Sequence, residues 1–208
     1  MIKVGDIKKR VVITCSSVES EIRRENIERL KKDVGAIEYE AFAGRMLGLN
    51  SSEKDRIHKT DVGKAAVALY LSHLCLWNAV RDGEYMLVLE SDARVVGDLE
   101  DLELPEIDFI YLDYQTVDEF INRAPRYGKT WSDNIKQPIN PLRTHAYVIS
   151  GAGAAKMKGM KRGLNMPFDW ALHMYLGARG VKWGGLVDRN VIKYIDDVST
   201  VMINGIKQ

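Results

Sequence analysis

Residues 85–89 (YMLVL) form an uninterrupted apolar run that ends on Glu90-Ser91-Asp92. A run this short and this apolar reads as a strand covered on both faces, the kind found inside an α/β sheet. Ligands of open α/β sheets bind at the carboxyl ends of strands, so the run delivers two carboxylates to the place where such folds do chemistry. Two acids two positions apart point to the same side of an extended chain and can share one hard divalent cation. Ionised acids ending a buried strand are also costly unless they bind a partner.

The flanking sequence supplies the rest of such a sheet. Residues 11–15 (VVITC) are a short β-branched strand, and Ser16 with Glu19 has the capping-box pattern for a helix over 19–33 that stops at Gly35. Residues 36–42 (AIEYEAF) alternate as a second strand, which completes an opening βαβ unit. Residues 43–60 are polar and aperiodic and read as a long functional loop. Asp61 is placed to cap a largely apolar, buried helix reaching about residue 82, with Gly83 beyond it. Strands are expected at 107–112, 145–150, 181–187 and 191–195, and residues 114–139 read as a polar, aromatic-bearing segment. A short helix over 151–160 follows a Gly/Ala turn, and Pro167 can open a helix to about 178, before Gly180. With 208 residues and no repeat or linker, the expectation is one α/β domain over 1–208, a mostly parallel central sheet flanked by helices.

Charge enters through its arrangement. Thirty Lys and Arg against 29 Asp and Glu give a net charge of +1, which excludes uniform polycation behaviour. Residues 84–119 nevertheless hold twelve acids against the single base Arg94, while residues 134–168 hold six bases and no acid. Two such blocks can build one site that takes a cation on one side and an anion on the other; solvated faces are the plainer alternative. Cys15 and Cys75 lack any metal-ligand spacing and read as core residues of a reducing compartment. No secretory or transmembrane run is read, and a cytoplasmic location is expected.

YLSHLCLWNAV (70–80) followed by YMLVLESDARV (85–95) resembles the core signature of glycosyltransferase family 25, the lipooligosaccharide galactosyltransferase type. THAYVISGAGAAKM (144–157) resembles that family's Tyr-bearing strand and Gly-Ala turn, and PFDWAL (167–172) its Pro-x-Asp motif. The resemblance runs over roughly residues 11–172, with the motifs in the family's order. Ser91 stands where the family has a middle acid, and Thr14-Cys15 where it has Asn-Leu.

The resemblance implies a GT-A type Rossmann-like domain and a metal-dependent inverting transfer from a nucleotide sugar, a UDP-sugar first, to an acceptor hydroxyl. It implies Mn or Mg, for which Asp92 with Glu90 are the candidate ligands; His173, four positions after Asp169 on the same helical face, can be a third ligand, can orient Asp169 or can be structural. Asp169 is then the candidate general base, one such group being what inversion requires. Thr14, Arg23, Ser72, His73 and Ser91 fall to the donor. Tyr127 and Trp131 are candidates to stack on the acceptor, and Lys158 and Arg162, in the base-rich KMKGMKR stretch, to hold its anionic groups.

Several readings stay open on the residues alone. His73 within an apolar helix can be a satisfied core histidine, Asp113 at the end of the next strand can be a site carboxylate or a turn residue before Tyr114, and Trp77 and Trp170 read as core. The acceptor can be a glycan, including lipooligosaccharide, or a hydroxylated modified base of DNA reached by base flipping. A nucleotide-sugar binding module without catalysis is the alternative of another class. A nucleotidyltransferase would be expected to carry a Gly-rich loop after the first strand, which is missing here.

Overall fold

The computed structural model describes residues 1–16, 19–42, 64–158, 160 and 168–195. Along the chain run β1 (Ile2–Lys3), β2 (Lys9–Thr14), α1 (Glu21–Asp33), β3 (Ile37–Glu40), α2 (Lys64–Asn78), β4 (Tyr85–Glu90) and β5 (Ala93–Val95). After them come β6 (Glu103–Leu104), β7 (Phe109–Thr116), α3 (Val117–Phe120), β8 (Tyr127–Thr130), β9 (Ile135–Pro138) and β10 (Pro141–Ser150). The last elements are α4 (Gly151–Met157), α5 (Phe168–Ala178), β11 (Trp183–Leu186) and β12 (Ile192–Tyr194).

The fold is mixed α/β around an eight-stranded sheet ordered β3-β2-β4-β10-β7-β11-β9-β8. The expected mostly parallel sheet is corrected by the pairing. β2 is parallel to β3 and β4, and β7 to β11, but β10 is antiparallel to both β4 and β7, as β9 is to β11 and β8. Strand periodicity finds β10 in the sequence but carries no sign for its direction. Because β10 reverses twice, β2, β4, β7 and β11 still point the same way and bring their carboxyl ends to one edge.

Alternation along the central strands divides the core. Met86, Val88, Phe109, Tyr111, Tyr147 and Ile149 face one side, where Trp77 of α2, Met157 of α4 and Leu172 of α5 cover them. Leu87, Leu89, Ile110, Leu112 and Val148 face the other, under Ile27 and Leu30 of α1. Burial on both faces explains why β4 reads as a continuous apolar run. The Gly-Ala turn is a close approach: a Cβ on Gly151 would lie 1.9 Å from the Arg81 carbonyl oxygen, and one on Gly153 2.3 Å from that of Asp108.

Smaller expectations also change. Ser20, not Ser16, caps α1, its side chain accepting the Arg23 N–H, and Glu19 instead accepts the N–H of Cys15 at 2.9 Å. Cys75 is exposed and Cys15 half-buried, so neither is a core residue. Trp77 is fully buried, as expected, but Trp170 is 53% exposed on the outer face of α5. The polar segment 114–139 holds the end of β7, α3 and the β8–β9 hairpin. The loop expected over 43–60 and the capping position of Asp61 lie outside the described residues. Among the described residues no helix is long and apolar enough to cross a membrane.

Candidate functional site

The end of β4 is held from both sides of the sheet. Asn26 of α1 donates to the carbonyls of Ser91 and Ala93, at 3.0 and 2.8 Å, which fixes the turn that carries Asp92. Arg23, buried one helical turn earlier, places its guanidinium 3.3 Å from Asp92 Oδ2 and about as far from the Ser91 hydroxyl, at 3.5 Å. Asp92 Oδ1 is buried with no hydrogen-bond partner. Burial, reinforced by the charge of Glu90, pushes the Asp92 carboxyl up to about 6, against the opposing pull of His145 and Arg23. Burial works in the same direction on Glu90, but His73, His145 and the Thr144 hydroxyl outweigh it and hold that carboxyl low. The Thr144 hydroxyl donates to Glu90 Oε1 at 2.8 Å.

Behind Glu90 lies a buried network whose proton positions follow from its members. The Trp77 indole N–H can only donate, and it donates to the Tyr147 oxygen at 2.9 Å. The Tyr147 hydroxyl proton then goes to His73 Nδ1, 2.7 Å away. That leaves the His73 proton on Nε2, which lies 3.3 Å from Glu90 Oε1 without the alignment of a full hydrogen bond. The His73 ring stacks on Phe168 at 4.5 Å, and Phe168 opens α5 immediately before Asp169. Asp169 accepts two backbone N–H groups, from Arg143 to Oδ2 at 3.1 Å and from Trp170 to Oδ1 at 2.9 Å.

A second acid–imidazole pair lies next to the first acids. The register of β10 on β7 shifts between Leu142 and Ala146 and again between Ala146 and Tyr147. Such irregularities re-aim side chains, and here they bring His145 Nε2 to 2.5 Å from Asp113 Oδ2, both residues buried. In the same stretch Arg143 takes a left-handed backbone, φ 69°. Asp113 and Arg143 line a cavity of about 650 Å³ together with Arg189, Lys193 and Tyr194. β12, part of the cavity wall, is also paired beside Asp92, with Tyr194 opposite Ala93 and the Ile195 N–H donating to the Asp92 carbonyl.

Of the residues singled out in the sequence, Glu90, Asp92, Ser91, Arg23 and His73 are brought together. Ser72, on the same turn of α2, spends its hydroxyl locally, donating to the Ala68 carbonyl and accepting the Phe42 N–H. The Thr14 hydroxyl is directed at the neighbouring strand, toward Glu38, Glu40 and the Tyr39 carbonyl. His173 is not beside the acid pair: its ring packs edge-on against Trp183, because its side of α5 faces β11. Trp131 is an anchor rather than a free platform, its indole donating to the Trp183 carbonyl at 2.8 Å. Tyr127 stands near Tyr114 and Arg189. Lys158 is exposed at the end of α4 and Arg162 lies outside the described residues.

The two charge blocks do not face each other as units. Glu84, Glu100 and Asp101 pair with Lys9, Arg10 and Lys3 near the amino terminus, and Lys156 of the basic block pairs with Asp108 at the sheet edge opposite Glu90. His145, Thr144, Arg189, Lys193 and Tyr194 were not singled out in the sequence. A weak signal for His145 existed, as the first residue of the HAYVIS strand, but its pairing depends on a bulge that strand periodicity does not show.

Mg or Mn needs only one or two protein carboxylates when phosphate oxygens and water complete the shell. Asp92, with its unpartnered Oδ1, and neighbouring Glu90 fit that demand. Among the described residues no group of three His, Cys, Asp or Glu side chains stands in metal-binding proximity, so a closed all-protein cage is not what this site offers. No protein-family model and no curated protein sequence matches this chain.

Proposed function

We propose that this chain is a GT-A type glycosyltransferase that moves a sugar from a nucleotide sugar to an acceptor hydroxyl with inversion. One observation carries the reading. The four stretches that resemble glycosyltransferase family 25 meet at a single point, through His73 and Trp77, Glu90, Tyr147, and Phe168 beside Asp169. A chance likeness of four short motifs has no reason to converge on one buried network.

Glu90 and Asp92 would hold Mn or Mg, which when bound offsets the negative charge that develops on a departing nucleoside diphosphate. Arg23 fixes one oxygen of Asp92 and leaves the other open, while Thr144 and His73 hold Glu90 from the opposite side. Asp169 serves as the general base. Its two backbone N–H bonds fix the carboxylate and use only part of its acceptor capacity, so a lone pair remains for the acceptor hydroxyl proton.

The test is a screen of nucleotide sugars, UDP-sugars first, for release of nucleoside diphosphate with and without manganese. Manganese-dependent release, abolished by chelation, is expected. Tight donor binding without release would make the chain a binding module, and pyrophosphate released from a nucleoside triphosphate would make it a nucleotidyltransferase.

A further inference from the structure

We infer that the cavity beside β12 binds a saccharide carrying one anionic group, a phosphate or a carboxylate; naming that saccharide the acceptor rests on the glycosyl-transfer reading above. At about 650 Å³ the cavity falls within the range of roughly 300–1,000 Å³ typical of small-molecule sites. Its charged groups are unequally committed. Asp113 is bonded to His145, Glu119 and Arg189 hold each other, and Asp188 accepts the N–H of Asn190. Arg143 and Lys193 have no carboxylate partner among the described residues, and they are the cations left to meet an incoming anion.

The same wall suits a sugar ring. The Arg143 guanidinium lies 4.7 Å from the centre of the Tyr194 ring, so an aromatic face and a charge stand side by side. The amides of Gln115 and Asn190 line the cavity and offer both donors and acceptors, as hydroxyl groups require. Duplex DNA calls for a basic stripe along a phosphate tract, and two cations without a carboxylate partner do not make one. Two lining residues are linked to the candidate chemistry at one remove. Arg143 gives its backbone N–H to Asp169, and the His145 partner of Asp113 acts electrostatically on Asp92 and Glu90.

Calorimetric titration without metal or donor tests this, using glucose, glucose 6-phosphate, glucuronate and inorganic phosphate as probes. At least one anionic sugar is expected to bind about tenfold more tightly than glucose and than inorganic phosphate, and the two anionic arms tell phosphate from carboxylate. Arg143→Asn with Lys193→Gln should erase that preference, Asn being chosen because it tolerates the left-handed backbone. Lys193→Gln alone, at an exposed strand position, should reduce it in part. Asp92→Asn should leave it intact. Equal binding of glucose and its anionic derivatives, preference retained in the double variant, or displacement of glucose 6-phosphate by a short DNA duplex would each overturn the proposal. Anionic sugar binding with no nucleotide-sugar turnover would leave the cavity assigned and remove the glycosyl-transfer reading; turnover without the preference would do the reverse.

Discussion

The two ends of β4 treat their acids in opposite ways. At the amino end Glu84 accepts from Lys9 Nζ at 2.5 Å and from the Arg81 N–H at 2.9 Å, and the Lys9 hydrogen bond draws its carboxyl below the usual range. Asp108, at the same edge of the sheet, accepts from Lys156 and from the Lys182 N–H, at 2.6 and 2.8 Å. At the carboxyl end Asp92 has Arg23 at 3.3 Å on one oxygen, no partner on the other, and a carboxyl raised to about 6. The acids at the amino end each pair one oxygen with a cation and a backbone N–H, whereas Asp92 keeps a buried oxygen with no partner, which a bound ligand would supply.

Asp92→Asn should break this comparison most strongly. On the glycosyl-transfer reading, nucleoside diphosphate release with manganese is expected to fall on the order of a thousandfold, because a carboxylate that would hold the metal is lost. Stability should move the other way. The folded-state carboxyl titrates near 6 against 3.8 for the unassisted group, so the folded chain holds the proton more tightly. Ionisation therefore costs folding free energy, a cost that grows as pH rises from about 4 to about 6 and is complete above that. The Asn variant should match the parent near pH 4 and gain on it toward pH 7, by on the order of 3 kcal/mol, the pull of Arg23 being already part of the folded-state value. Urea denaturation across that range reads the gap. A parent that gains stability over the same interval relative to the variant would show Asp92 to be satisfied in the fold.

Tyr147→Phe acts on the network behind Glu90. It leaves the Trp77 indole N–H and His73 Nδ1 buried without their shared partner, an expected loss of about 1–3 kcal/mol. Long-range nitrogen–proton correlation should place the His73 proton on Nε2 in the parent and find both tautomers in the variant. Unchanged stability together with an unchanged tautomer would mean that Tyr147 does not close the network.

What could be read in advance depended on whether the signal was local. β4, α2 and α5 were legible because apolar runs are written in neighbouring residues, and Gly35 and Gly180 follow α1 and α5 with φ of 65° and 62°; α2, however, stops at Asn78, ahead of the expected stop at Gly83. Glu90 and Asp92 were legible as a pair because the end of one strand carries both, whereas Arg23, on the helix after β2, was singled out through the resemblance. The direction of β10, the His145–Asp113 pair and the cavity were not, since each is made by residues that meet only through pairing and bulges across the sheet. Runs of like charge misled for the same reason. Sequence proximity suggested two opposed blocks, whereas Asp101, Glu100 and Glu84 find their partners in the first ten residues of the chain.

The smallest effect belongs to the satisfied end of β4. In Glu84→Gln the amide oxygen can still accept from Lys9 and from the Arg81 N–H, so the bonds survive and only the exposed charge is lost. An exposed pair adds little to folding, so urea stability should be nearly unchanged. Turnover should be unaltered, because Glu84 and the acid pair stand at opposite ends of β4. A change in turnover as large as that of Asp92→Asn would mean that the two ends are coupled through the strand, and that an incomplete shell is not what distinguishes the working end of the sheet.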